Sequence, residues 1–277
     1  MTADQFSTSA ADIAREAGAL LMQYFRRRVA VEYKGEADVV TVADRAAEEL
    51  LMSRLRARWP EHQIMAEEGS AHKSASEYRW YVDPLDGTTN FAHGFPVFCV
   101  SLGLEHRGEL IAGVLYDPSR DEMFTAEKGS GAFLNGQRIQ VSPTAKLAES
   151  LLATGFPSKK RHKNPNIHFY QTFTLRSHGV RRAGSAALDL ASVACGRFDG
   201  FWEFNLNPWD TAAGVLLVRE AGGTVSNFSG GAFDISSREV LASNGHIHQQ
   251  MIETLAEVFA GKTQALPPAS DWQKSKT

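Results

Sequence analysis

Apolar residues Ile13, Ala17, Leu20, Leu21 and Tyr24 recur at helical spacing and predict an amphipathic helix over residues 9–27. Ser9 with Asp12 forms a candidate capping box at its start. Arg26, Arg27 and Arg28 close it, where cations favour the helix dipole. A turn-containing extended segment over 29–42 leads into a second helix over 41–58, which stops before Pro60. Residues 63–65 read as a short strand and 78–82 as a buried one. The apolar runs 98–104 and 110–116 flank His106-Arg107-Gly108 and predict a β-hairpin, and 122–126 adds a further strand. Gly129, Gly131 and Asn135-Gly136 signal tight turns. A polar stretch over 142–150 containing Pro143 separates an N-terminal α+β half, residues 1–147, from a C-terminal α/β half, residues 148–262, of one compact unit. The second half predicts strands at 151–154, 198–203 and 240–242 and helices at 186–195, 210–221 and 247–259, the middle helix ending at Gly222-Gly223. Residues 159–165 read as a basic, solvated loop and 263–277 as a loose tail.

The segment Asp83-Pro84-Leu85-Asp86-Gly87-Thr88-Thr89-Asn90 breaks this patterning. Two carboxylates stand three residues apart around a proline that lacks an N–H and forces extended geometry on the residue before it. That is not how an acidic surface helix is built. The flanks, Trp80-Tyr81-Val82 and Phe95-Pro96-Val97-Phe98, are apolar, and no basic residue lies between Arg79 and His93. Buried carboxylates without a partner are costly, so a cation is the economical counter-charge. Glu67, after a short strand, and Asp210, at the start of a helix, are further candidates; the ordinary readings are a solvated turn and a helix N-cap. Asp44 stands three residues after Thr41, the spacing of a capping box. Carboxylates, a backbone carbonyl such as that of Leu85, and water suit Mg2+ or Mn2+. Two such ions would clamp a phosphoryl group, activate a water and steady the leaving oxygen. The N–H groups of Gly87 and Thr88 can take the remaining phosphate oxygens.

Composition narrows the field. The chain has 277 residues, 43% hydrophobic and 22% charged, with a formal net charge of −3, so no global basic field invites nucleic acid. The only cysteines, Cys99 and Cys195, have apolar neighbours and read as reduced core thiols of a cytosolic protein rather than a disulfide or zinc site. There is no signal-peptide pattern and no apolar run of spanning length, which points to a cytoplasmic protein without a membrane partner.

With these residues in view, the chain resembles the inositol monophosphatase family, within the lithium-sensitive, magnesium-dependent phosphatases that include fructose bisphosphatases. Two motifs carry the resemblance: Trp80-Tyr81-Val82-Asp83-Pro84-Leu85-Asp86-Gly87-Thr88-Thr89-Asn90-Phe91, and Trp209-Asp210-Thr211-Ala212-Ala213-Gly214 running into Glu220-Ala221-Gly222-Gly223. Asp38-Val39-Val40-Thr41-Val42-Ala43-Asp44, Glu67-Glu68-Gly69-Ser70 and Gly184-Ser185-Ala186-Ala187 are lesser matches, and residues 181–190 resemble the bacterial branch. The resemblance implies a layered α-β-α-β-α sandwich and a homodimer. It implies that Glu67, Asp83 and the Leu85 carbonyl hold one metal and Asp83, Asp86 and Asp210 a second, with Glu67 also reaching a third, weaker ion through water. Mg2+ is the expected ion, Mn2+ an admissible substitute and Li+ an expected inhibitor. Thr88 and Asp44 would orient the attacking water and receive its proton. Asp86, Gly87 and Thr88 would line the phosphate, while Glu203 and the Gly184-Ser185-Ala186 turn would meet substrate hydroxyls beside Asp210. Lys34 falls where the family has a lysine near a mobile metal loop. Gly69 departs from the pattern of many relatives and leaves the ligand open between Glu67, which fits the strand end better, and Glu68.

The implied reaction is direct hydrolysis of a phosphate monoester, with inositol 1-phosphate, a phosphorylated polyol, as leading substrate. Histidinol phosphate, fructose 1,6-bisphosphate and 3′-phosphoadenosine 5′-phosphate are the alternatives. Some bacterial relatives are also protein-binding factors in transcription, and the basic loop at 159–163 with Arg181-Arg182 is the candidate surface for such a partner.

Overall fold

The computed structural model describes residues 4–27, 31–33, 39–156, 164–263 and 265–266. Helix α1 (Asp4–Phe25) begins a turn earlier than its central periodicity predicts, because Phe6 and Ala10 extend the buried stripe. Ser9 and Asp12 therefore lie inside the helix and cap nothing, and Arg26 and Arg27 occupy the turn just beyond it. A short antiparallel pair, β1 (Val31–Tyr33) and β2 (Val39–Thr41), leads into α2 (Val42–Arg58), which ends before Pro60 as the proline demands. Lys34 and Asp38 lie outside the described residues, as do 157–163 of the basic loop and 267–277 of the tail.

An eight-stranded sheet follows. It comprises β3 (Gln63–Ala66), β4 (Ala71–His72), β5 (Tyr78–Asp86), β6 (Cys99–His106), β7 (Glu109–Asp117), β8 (Glu122–Glu127), β9 (Gly131–Leu134) and β10 (Gln137–Ile139), in the order β10-β9-β8-β7-β6-β5-β3-β4. All its pairs are antiparallel except β3 with β5. The expected strand end at Val82 is corrected: β5 runs on through Asp86. Its pairing with β6 passes from Asp83↔Ser101 to Asp86↔Cys99, so the three-residue step on β5 matches two on β6. Pro84 has no N–H for a ladder, and a bulge is where a sheet tolerates it. After β5 comes a short helix, α3 (Thr88–Ala92).

The second sheet has five strands: β11 (Leu151–Thr154), β12 (Gly179–Arg181), β13 (Gly200–Phe204), β14 (Thr224–Ser226) and β15 (Glu239–Ser243), ordered β12-β11-β13-β15-β14. Four helices accompany it: α4 (Asn166–Arg176), α5 (Ala186–Ala194), α6 (Pro208–Glu220) and α7 (His248–Phe259). Strand alternation sorts the apolar side chains into three cores. Trp80, Val82, Leu102 and Leu104 pack against Leu21, Leu51 and Leu55 of α1 and α2. The opposite face, with Tyr81, Leu115 and Phe124, meets α5 and α6, on which Phe201 and Val240 of the second sheet also pack. Leu152, Trp202 and Leu241 turn away to Phe169, Phe173, Met251 and Leu255 of α4 and α7. The layers thus run α-β-α-β-α, the architecture implied by the resemblance.

Two details place α6. Gly103 and Gly113 face each other across β6 and β7, and a Cβ on Gly103 would lie 2.4 Å from the Cβ of Ala212. Only the missing side chain lets the helix lie this close to the sheet. Helix α6 starts at Pro208 with Asn207 as N-cap, so Asp210 is its third residue and not its cap.

Candidate active site

Three parts of the fold converge on one cluster of four carboxylates. Asp83 and Asp86 come from the bulged end of β5, Glu67 from the turn after β3, and Asp210 from the first turn of α6. The Glu67 and Asp83 carboxyls share a hydrogen bond. Asp210, Asp86 and Glu68 add their charges around Glu67. Burial, then the repulsion of Asp210, pushes Glu67 up to about 8. Burial also pushes Asp210 up to about 8, against the hydrogen bonds from Asn207. Asp83 stands well above the carboxylate range, first through desolvation and then through Glu67, Asp86 and Asp210. Asp86 is raised by burial too, opposed by Ser185 and the backbone of Ala187. No basic side chain is among the leading causes of these shifts. Asp83 is buried, whereas Glu67, Asp86, Thr88 and Asp210 keep partial exposure, so the cluster is walled by protein yet reachable from solvent.

Each aspartate is aimed by one of its own oxygens. Asp83 Oδ1 accepts from the Leu85 N–H at 2.9 Å. Asp86 Oδ2 accepts from Ser185 Oγ at 2.6 Å and the Ala187 N–H at 2.8 Å, which ties the first sheet to the start of α5. Asp210 Oδ2 accepts from the Asn207 N–H at 2.8 Å. Among the described residues no three acidic, histidine or cysteine side chains are already drawn into a closed ligand set. The carboxylates converge at electrostatic range, looser than the tight cage the resemblance implies. The donor set still fits a hard divalent cation: all oxygen, several formal negative charges and partial exposure.

A second constellation adjoins it. Thr88 Oγ1 lies 3.1 Å from Asp44 Oδ1 and 3.0 Å from the Leu85 carbonyl, so its single proton is shared between two acceptors. Asp44 is 1% exposed, and its Oδ2 accepts from the Thr41 N–H at 2.8 Å and from Thr41 Oγ1 at 2.6 Å. The capping reading of Thr41 and Asp44 is therefore correct, and the cap itself aims the other Asp44 oxygen at Thr88. Burial raises the Asp44 carboxyl above its ordinary range. Gly87, the N-cap of α3, has φ 97°, and a Cβ there would meet the Val97 carbonyl oxygen at 2.7 Å.

On the far side stands Glu203, buried and pushed up to about 8 by desolvation and by Asp86, with Arg182 opposing. Ser185 does not face outward freely: it caps α5 and donates to Asp86. Gly184 is held by its carbonyl, which accepts from Asn90 Nδ2 at 3.2 Å. Ala186 follows as the first residue of α5.

Several neighbours escaped the sequence reading. Asn207 repeats the three-residue spacing of Thr41 and Asp44, with Pro208 after it, a legible signal. Asp189, 1% exposed with Oδ2 unpartnered, sits near Glu203 and Asp86, and nothing in its spacing announced it. Glu48 lies one helical turn beyond Asp44 and could have been found on that ground.

Residues 2–260 match the model of the inositol monophosphatase family. The chain is 46% identical to an inositol-1-monophosphatase of Synechocystis over 87% of its own length and 85% of the relative's. It is 43% identical to the Nus factor SuhB of Pseudomonas aeruginosa, covering 87% and 92% of the two chains. Among solved structures, the inositol monophosphatase from Anabaena (Nostoc) superposes with a TM-score of 0.84 at 42% identity, over 97% of this chain and 99% of that one.

Proposed function

The chain belongs to the inositol monophosphatase family, a family of phosphatases, and from that premise we propose that it is a Mg2+-dependent phosphate monoester hydrolase acting on inositol 1-phosphate. The observation that carries this reading is the mutually repelling carboxylate cluster of Glu67, Asp83, Asp86 and Asp210 beside the Thr88–Asp44 pair. Bound divalent cations would supply the positive charge that draws in a phosphate and lower the pKa of water. Glu67, Asp83, the Leu85 carbonyl, Asp86 and Asp210 would hold them, Glu67 being preferred to Glu68 because its carboxyl faces Asp83. Thr88 Oγ1 has lone pairs free to accept from a water, and Asp44 accepts from Thr88, so the pair orients that water for in-line attack and takes up its proton. Gly87 and Thr88 border the phosphate. Glu203, with the Gly184-Ser185-Ala186 turn at its side, receives the hydroxyls of the alcohol.

Phosphate release should be assayed on inositol 1-phosphate, histidinol phosphate, fructose 1,6-bisphosphate and 3′-phosphoadenosine 5′-phosphate, with Mg2+, with Mn2+, and with Li+ added. The polyol monoester is expected to have the highest kcat/KM, and Li+ to inhibit. Asp83→Asn is expected to lose roughly 10²–10³-fold or more in kcat; near-normal turnover of that variant with Mg2+ would exclude the assignment.

The resemblance to a protein named Nus factor SuhB favours a second, compatible reading, a protein-binding role in transcription. Capture of transcription components that survives Asp210→Asn would support it.

A further inference from the structure

Helix α2 carries two buried carboxylates one turn apart. Asp44 serves Thr88. Glu48, 4% exposed, serves the turn that bears Glu67. Its Oε2 accepts from the Glu68 N–H at 2.8 Å and its Oε1 from the Ser70 N–H at 3.2 Å. Backbone bonds hold the turn as well: the Glu67 N–H donates to the Val82 carbonyl at 3.1 Å, and the Ala66 N–H to the Ser70 carbonyl at 3.1 Å. Gly69 reverses the chain at φ 99°, and Gly69 and Ser70 are exposed. On one side, then, the reversal is clamped to β5, and on the other a single carboxylate grips it through both oxygens. Two hydrogen bonds from N–H groups two residues apart, one to each oxygen of the same carboxyl, define position and orientation together.

We propose that Glu48 is a positioning residue for the metal centre: by clamping the 67–70 turn it fixes where Glu67 presents its carboxyl. This rests on the cation-dependent reading above. The same two turns of α2 then set both halves of the chemistry, the ligand through Glu48 and the water-orienting Thr88 through Asp44. Glu48 touches neither cation nor substrate. Its loss acts on cation affinity, while the groups that move the proton stay in place.

The probe is Mn2+ itself, titrated into the full chain and followed by its electron paramagnetic resonance signal and by calorimetry. Asp83→Asn is the reference for a lost ligand. Glu48→Ala is expected to weaken Mn2+ binding roughly 10–100-fold, the range for groups that orient metal ligands. The KM for Mg2+ rises in parallel, kcat at saturating Mg2+ stays within a few-fold, and the KM for substrate is unchanged. Glu48→Gln, which keeps one acceptor oxygen, falls between. If Glu48→Ala does not fold, Gly69→Ala perturbs the same turn from the solvent side: its Cβ meets nothing within 4 Å but is held at positive φ. It is expected to weaken Mn2+ binding in the same direction by less. Wild-type Mn2+ affinity in a folded Glu48→Ala, or in Gly69→Ala, overturns the proposal, as does a loss of kcat that saturating Mg2+ does not restore. Wild-type protein that binds no Mn2+ overturns the cation-dependent reading, and this inference with it.

Discussion

Removing divalent cations from this protein should make its stability depend on pH in a direction opposite to ordinary acid denaturation. Glu67 and Asp210 are each pushed up to about 8 in the folded chain, while the unfolded chain titrates them in the ordinary carboxylate range. Between roughly pH 5 and pH 8 the folded protein therefore holds protons that the unfolded chain has already released. Stability must fall as pH rises through this window, by about 1.4 kcal/mol per pH unit for each proton so retained. The two groups repel each other, so the protons belong to the cluster and come off in coupled steps. On the cation-dependent reading proposed above, saturating Mg2+ should ionise the cluster and remove this slope. Other groups contribute their own slopes; Glu203, also up to about 8, is one. It does not belong to the proposed ligand set, so its contribution largely cancels in the difference between cation-loaded and cation-free protein. The experiment is urea unfolding at pH 6, 7 and 8, in chelator and in saturating Mg2+. Calorimetric titration of Mg2+ at pH 6.5, in two buffers of different ionisation enthalpy, counts the protons released. At least one is expected, with fewer as pH rises above 8. Release of less than about a third of a proton at pH 6.5, or cation-free stability that climbs from pH 6 to 8 relative to the loaded protein, would refute the electrostatic account of the site.

Three further outcomes follow from contacts already described. Thr88→Ala removes the hydroxyl between Asp44 and the Leu85 carbonyl, and kcat should fall on the order of 10²-fold with little change in substrate KM, measured by steady-state phosphate release. Gly103→Val places a branched side chain where Ala212 already sits, 2.4 Å from the position of its Cβ, and should cost about 1–3 kcal/mol or more in urea unfolding, with activity lost through displacement of Asp210. His62 lies stacked against Tyr78, 4.6 Å between ring centroids, and its Nδ1 accepts from Trp80 Nε1 at 3.1 Å. Burial lowers it to about 4. The unfolded chain takes up that proton first, so stability present above pH 6.5 is lost as pH falls toward 4. His62→Gln should flatten the acid limb of the thermal-melting profile between those values.

What could be read from the chain in advance follows physical range. Short-range rules served well where one segment settles its own geometry. Pro84 between two aspartates foretold an extended, non-helical site. Thr41 and Asp44 foretold a cap, and Pro60 the end of α2. They failed where a distant partner decides. Helix α4 went unseen because Asn166 and Thr172 interrupt its apolar stripe. Yet both are buried: Asn166 accepts from Trp202 Nε1 at 2.7 Å and donates to the Gly155 carbonyl at 2.6 Å. Strands β9, β10, β12 and β14 are three or four residues long and owe their existence to neighbours in the sheet, not to a period of their own. At the site, the four acids singled out in the sequence are brought together by the fold, but what aims them was not legible. Ala187 contributes only an N–H, which every residue but proline has, and no side-chain pattern marks it. The bulge that carries β5 on to Asp86 depends on its register with β6.

The way the site is held also explains why its acids can be kept together at all. Four carboxylates repelling one another in a protein-walled cluster would spread if their carriers were free to move. Each carrier is instead tied where motion is most costly. Asp86 is bonded from the first sheet to Ser185 and Ala187 at the start of α5. Asp210 rides on a helix pressed against Gly103 and Gly113. Asp83 is locked by the Leu85 N–H inside the bulge. Glu67 alone sits on an exposed turn, and there a fifth carboxylate, Glu48, takes over the clamping through two backbone N–H groups. The repulsion is thus borne by the packed layers of the sandwich, so on the proposed reading an incoming cation would meet ligands already aimed, and relief of their repulsion would add to its affinity. On this account the least firmly held acid, Glu67, should be the one whose position responds most to the ion, and its turn the place where cation binding registers first as protection of the Glu68 and Ser70 amides from hydrogen exchange.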